Sequence, residues 1–179
     1  MKLIVGLGNP GDEYTLTRHN VGFCALSSLI KALDLQDEFK INKKIFARAL
    51  KGKIGRKEII MIKPETFMND SGTAVQAALS FYKLTPADLL VIHDDKDIPL
   101  GETRMQTGRG PAGHNGVRSI IEKLGTEDFM RIRIGVSPHD QKIINTADFV
   151  LGKFTKEETT ELKTILNNVA SDVKTWLAS

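Results

Sequence analysis

Five polar residues in this chain stand where chemistry can be done: Asn9, His19, Asn69, Asp94 and Asn115. Three of them follow short apolar runs. Residues 3–7 (LIVGL) lead into Gly8-Asn9-Pro10-Gly11, residues 59–62 lead through Lys63-Pro64 to Phe67-Met68-Asn69, and residues 89–92 lead into His93-Asp94-Asp95. His19-Asn20 and Gly113-His114-Asn115-Gly116 each precede a helix-like stretch. In open α/β sheets, ligands lie beyond the carboxyl ends of the strands. If these runs are neighbouring parallel strands, Asn9, Asn69 and Asp94 converge on one crevice, and loops bring in His19 and Asn115. A histidine, a carboxylate and three amides, with no obvious nucleophile, suit hydrolysis by an activated water. His19 is the candidate general base. A carboxylate on its other ring nitrogen would fix tautomer and direction. Asp94 is the candidate because it directly follows a strand, with Asp95 and Asp97 as open rivals. Amides both donate and accept, so the three asparagines can hold a peptide backbone, position a water or donate to an oxyanion.

Each residue also has a plainer reading. Asn20 rather than His19 can cap the helix, and Asn69 and Asn115 can be turn residues. The segment His93-Asp94-Asp95-Lys96-Asp97 carries its own cation and matches no metal-ligand spacing, so no metal is expected. Gly6-Leu7-Gly8-Asn9-Pro10-Gly11 fits the dinucleotide fingerprint G-x-G-x-x-G after a strand. The third glycine is followed by Asp12-Glu13, however, and no apolar helix begins before Asn20. Acids there repel a pyrophosphate, so no dinucleotide cofactor is expected, and the glycines with Pro10 read as a rigid turn that aims Asn9.

The elements that must position these residues follow from periodicity. Strands are expected at residues 2–7 and 89–92, a hairpin at 45–50 and 58–62 around Lys53-Ile54-Gly55-Arg56, and an edge strand at 102–106. Residues 131–136 alternate arginine and isoleucine, which predicts a strand with one polar face. Helices are expected at 20–33, from Asp70 or Ser71 to about Tyr82, and at 116–124, closed by Gly125. Thr155-Lys156-Glu157-Glu158 is a capping box opening a helix to about Leu177. Alternating strands and helices predict an α/β fold, a twisted, mixed and mainly parallel sheet flanked by helices.

The chain has 179 residues, read as one domain over 1–179, with 41% hydrophobic and 26% charged residues. Its net charge is only +3, but residues 40–63 hold nine Lys/Arg and one acid, Glu58, and residues 104–133 hold six basic and three acidic residues. Basic clusters favour polyanions; a solvated hairpin surface is the plainer alternative. The single cysteine, Cys24, lies in an apolar helical stretch and reads as a buried thiol. No disulfide, signal peptide or membrane-spanning run is expected, and the expected compartment is the cytoplasm.

The motifs together resemble bacterial-type peptidyl-tRNA hydrolases. The matching segments are Gly6-Leu7-Gly8-Asn9-Pro10-Gly11-x-x-Tyr14-x-x-Thr17-Arg18-His19-Asn20-x-Gly22, Lys63-Pro64-x-Thr66-Phe67-Met68-Asn69-x-Ser71-Gly72, His93-Asp94-Asp95-x-Asp97-x-Pro99-x-Gly101 and Gly113-His114-Asn115-Gly116. Arg131-Ile132-Arg133-Ile134-Gly135 and Phe149-Val150-Leu151-Gly152-Lys153-Phe154 complete the set, in the family's order over nearly the whole chain. The resemblance implies cleavage of the ester between peptide and tRNA, with His19 activating water and Asp94 orienting it. It implies substrate binding by Asn9, Tyr14, Phe67, Met68, Asn69, His114 and Asn115. It also implies a monomeric enzyme with no cofactor, no metal and no obligate protein partner. The tRNA would be held through phosphates, which carry little sequence information; the candidates are Arg104, Arg109, Lys123 and Arg133. The alternative is a non-catalytic RNA-binding factor on the same scaffold, against which the retained His19, Asp94 and asparagines speak.

Three departures stand out. Arg109 and Pro111 stiffen a loop that is richer in glycine in relatives. Gln106 replaces a residue that is often basic. The chain ends at Ser179, soon after Trp176, so tRNA affinity is expected to rest on the body of the protein.

Overall fold

In the computed structural model, which describes residues 1–138 and 143–178, the apolar runs become the middle of one sheet. Strand β1 (Lys2–Gly6) is buried over its last four residues. It is flanked by β4 (Lys57–Pro64) and β5 (Leu89–Pro99), both parallel to it. Next to β5 lies β7 (Met130–Ser137), also parallel. The edges are antiparallel: β3 (Ala47–Ile54) on β4, β2 (Lys40–Asn42) on β3, and β6 (Thr103–Gln106) on β7. The order is β2-β3-β4-β1-β5-β7-β6. The single-domain α/β expectation, with a mixed sheet parallel in its core, therefore holds.

Uninterrupted apolar runs arise because both faces of the central strands are covered. Ile4 of β1 packs with helices α1 (Val21–Ala32) and α5 (Lys156–Ala178) through Leu26, Leu29, Ile165 and Val169. Leu3 and Val5 pack on the other face with α2 (Ser71–Tyr82) and α3 (Asn115–Leu124) through Val75, Ala78, Val117 and Ile120. Helix α1 enters by a very close approach. A Cβ on Gly22 would lie 2.4 Å from the Ile92 carbonyl oxygen and from the Leu7 nitrogen. Only glycine permits this, and it presses the preceding turn, Arg18–Asn20, onto the carboxyl end of β1 and the middle of β5.

The structure corrects the sequence reading at four places. Strand β5 does not end at Ile92: pairing with β7 continues through Asp95 and resumes at Pro99 after an irregularity, so Asp94 lies within the strand. Strand β2 is only three residues long and mostly exposed, with no periodicity to read. A short helix, α4 (Thr146–Leu151), was unforeseen; the Asn145 side chain caps it by accepting from the Ala147 and Asp148 amides at 3.0 and 3.3 Å. Strand β7 keeps the expected arginine face, but that face is internal: Arg131 and Arg133 are buried on polar partners, while Ile132 and Ile134 join the apolar core. The capping box of α5 is as expected: the Glu158 amide donates to Thr155 Oγ1 (3.2 Å) and the Thr155 amide to Glu158 Oε2 (2.7 Å). Glu158 also takes both oxygens to Arg18 Nη2, at 2.9 and 2.7 Å, which fastens the turn carrying His19 to α5. Ser179 lies outside the described residues.

Candidate active site

His19 Nδ1 lies 2.9 and 3.0 Å from the two oxygens of Asp94. A carboxylate only accepts, so Nδ1 carries the proton and donates, and the Nε2 lone pair is free to act as a base. His114 Nε2 lies 2.8 Å from Asp94 Oδ1. Its Nδ1 accepts from the Val117 amide at 3.3 Å as the cap of α3, so His114 donates to Asp94 through Nε2–H. The Asp94 carboxyl is buried. Burial alone would raise its pKa, but the electrostatic attraction and hydrogen bonds of the His114 and His19 rings outweigh this and hold it well below the usual carboxylate range. Asp94 is thus a fixed anion between two imidazoles. The rivals are engaged elsewhere: Asp95 with Arg133, and Asp97 with Lys96 at 2.8 Å.

His19, Asp94 and His114 offer ligand atoms within 4.8 Å of one another, a spacing that a metal ion could use. A metal on His114 Nε2 would force the ring proton onto Nδ1, against the Val117 N–H. The hydrogen bonds present favour protons over a metal at this site.

Behind them, His93 Nδ1–H donates to the Asp94 carbonyl at 2.7 Å. Its Nε2 is buried without a partner, and its ring meets His114 edge-on at 4.7 Å. Burial, then electrostatic repulsion from the neighbouring His114 ring, push the His93 pKa well below the usual value, against the pull of Asp94. The unfolded chain therefore binds a proton on His93 that the folded chain refuses. Stability contributed by neutral His93 is present above the ordinary histidine pKa of ~6.5 and is lost as pH falls below it. His93→Gln is expected to flatten the decline of Tm between about pH 7 and pH 5; an unchanged slope would assign that decline to other groups.

Asn9 is held on every side. The Asn20 side chain accepts from the Asn9 amide and donates to its carbonyl, both at 2.9 Å. Asn20 is therefore a backbone clamp and makes no side-chain cap to α1. Asn9 Oδ1 accepts from the Met68 amide at 2.7 Å, which leaves Nδ2 to donate into the cleft. Met68 is buried beside Gly116, while Asn69 and Asn115 are exposed on the turn Met68–Asp70 and at the first residue of α3. Phe67 is exposed, and Tyr14 braces it edge-to-face at 6.5 Å. A cleft of about 250 Å³ is lined by His19, Asp94, His114 and Asn115, with Thr146, Ala147 and Val150 of α4 opposite. A hollow of about 380 Å³ shares His19, Asn115, Ala147 and Val150, and adds Asn9, Phe67, Met68 and Asn69. The structure thus gathers every expected catalytic and substrate residue except Tyr14 into one surface. The α4 wall was missed; its only sequence signal was Asn145-x-x-Asp148.

The expected phosphate contacts divide. Arg104, Arg109 and Lys123 are exposed, and so is Arg118 on α3, which the sequence reading passed over. Arg133 is a correction: it is 3% exposed, with Nε on Asp95 Oδ2 at 2.8 Å and Nη1 on Gln106 Oε1 at 2.9 Å. Charge pairing across β7 and β5, with β6 as a cover, draws it inward. Gln106, noted as a missing cation, is its acceptor. Arg131 is also buried and donates to the carbonyls of Arg109 and Gly110, holding the loop before His114. Arg133→Met is expected to cost about 3–5 kcal/mol of stability in urea unfolding by stranding Asp95, with partial recovery in Arg133→Met/Asp95→Asn; a loss under about 1 kcal/mol would refute the buried-pair assignment.

Comparison with known proteins gives the family. The family model described as peptidyl-tRNA hydrolase matches residues 3–179. The chain is 44% identical over 179 residues to a peptidyl-tRNA hydrolase of Lactiplantibacillus plantarum, covering 100% of this chain and 94% of the relative. It is 45% identical over 158 residues to one of Aquifex aeolicus, covering 88% and 80%. A crystal structure of the peptidyl-tRNA hydrolase of Acinetobacter baumannii superposes with a TM-score of 0.88 at 35% identity, covering 97% of this chain and 87% of that one. By the family model, by sequence identity over its full length and by fold, this chain belongs to the peptidyl-tRNA hydrolase family.

Proposed function

We propose that this protein hydrolyses the ester joining a peptide to the 3′ end of tRNA, releasing free peptide and reusable tRNA. The observation that carries the reading is the His19–Asp94 hydrogen bond at the wall of a cleft lined by Asn115, with Asn9 and Asn69 in the adjoining hollow that shares His19. Asp94 holds His19 with Nδ1 protonated. Nε2 takes a proton from water, and the resulting hydroxide attacks the ester carbonyl. The amide of Asn9, aimed by the Met68 N–H, donates to the substrate together with Asn69 and Asn115. On collapse, the ribose oxygen leaves and takes the proton back from the imidazolium. Asparagines reach peptide backbone rather than side chains, which lets one site accept many sequences. Met68, Phe67, Tyr14 and His114 shape the channel. Phosphate contacts fall to Arg104, Arg109 and Lys123, on the β6 and α3 flank. The protein acts as a monomer in the cytoplasm, without a protein partner. No helix among the described residues is long and apolar enough to cross a membrane.

The test is release of free tRNA from an N-acetylated aminoacyl-tRNA. Turnover is expected; tRNA binding without turnover would favour a non-catalytic RNA-binding factor. In the same preparation, Arg109→Ala is expected to lower the log–log salt slope of tRNA binding by about 1, whereas buried Arg133 is expected to act on stability.

A further inference from the structure

A third pocket, about 280 Å³, shares Asn9 with the hollow beside the cleft. Its walls include Asn9, Phe23, Phe39, Arg48, Lys63 and Glu65. Two cations point here, and they are not equivalent. Arg48 Nε is spent on Glu65 Oε1 at 2.6 Å. Lys63 Nζ donates to Ser27 Oγ at 2.7 Å and lies over the rings of Phe39 and Phe23, at 4.7 and 5.6 Å. Among the described residues, no carboxylate pairs with it. Asp12 also borders the pocket, but it is exposed. Lys63 is thus a half-buried ammonium with aromatic walls and no anion of its own.

We propose that this pocket is a subsite for an acidic side chain of the substrate peptide, read by Lys63. The inference rests on the hydrolase reading above. Asn9 is the shared wall, and Asn20, which also lines this pocket, clamps its backbone. A peptide with its ester carbonyl at His19 and its backbone along Asn9 leads its upstream residues toward the pocket, at about 3.3–3.6 Å per residue. There the methylenes of a glutamate pack on Phe23 and Phe39 while its carboxylate meets Nζ. Burial pushes the Lys63 ammonium's pKa down, opposed by Cys24 and reinforced by Arg48; an incoming carboxylate relieves that cost. The preference adds to backbone recognition and leaves the broad range of substrates intact.

The experiment uses N-acetylated tripeptidyl-tRNAs with one tRNA and one C-terminal residue, carrying Glu or Gln at the second or third position from the ester. The readout is the Glu/Gln ratio of kcat/KM within each protein. A ratio of about 2–5 is expected at one of the two positions in the parent, the range of a partly exposed ion pair. It should shrink in high salt, fall to near one in Lys63→Met, and stay above one in Lys63→Arg. A ratio near one at both positions in the parent overturns the proposal, as does a ratio that survives in Lys63→Met. Turnover of the Gln substrates without discrimination sinks the subsite alone; no release from any substrate sinks the hydrolase reading and the subsite with it.

Discussion

His19→Ala is expected to lower kcat for ester hydrolysis by about 10²–10⁴-fold, the range a positioned general base supplies, with KM changed far less. In the proposed mechanism the imidazole acts on water, whereas the asparagines and the aromatic wall that would hold substrate keep their places without it. His19 is nearly buried, but its partner Asp94 keeps His114 when the ring is removed, so the fold survives the substitution. A far-UV spectrum and Tm near those of the parent would confirm that, and single-turnover kinetics would separate chemistry from binding. Equal kcat in parent and variant would discard His19 as the base while leaving the family membership untouched.

Asp94→Asn is expected to cost a similar factor, about 10²–10⁴ in kcat, although the shape of the side chain barely changes. Two ring N–H groups now converge on one carboxylate. An amide offers one acceptor oxygen and one NH₂. His114 keeps the claim on the oxygen, because the Val117 amide forbids a proton on its Nδ1. The NH₂ then faces His19 Nδ1, which must accept, and the proton moves to Nε2. The base has lost its lone pair to the wrong side of the ring. Because both substitutions remove one function, the double variant His19→Ala/Asp94→Asn should lose little more than either single one. Retention of more than a third of parental kcat in Asp94→Asn, or losses that multiply in the double variant, would remove Asp94 from the orienting role.

The central strands, and the segments after them where chemistry gathers, are legible in the order of the residues. Residues 3–7, 59–62 and 89–92 are apolar without interruption because helices cover both faces of those strands, and burial of that kind is written into consecutive residues. Thr155 and Glu158 likewise announced the start of α5, since a capping box is a contact between near neighbours. Which carboxylate serves His19 was undecidable on the same terms: Asp94, Asp95 and Asp97 share one segment, and the hydrogen bond to His19 spans 75 residues of chain. Only the pairing of β5 with β7 decides that Asp94 faces His19 while Asp95 turns to Arg133. The alternation of residues 131–136 read as a polar face because arginines are usually wet; cover from β6 and the loop before His114 makes them internal. Asn20, read as a cap, became the clamp on Asn9, and α4, a helix of six residues, became a wall of the cleft. Periodicity reports what a residue buries against its own element, whereas charge pairing and clamping depend on partners that only the folded chain brings within reach.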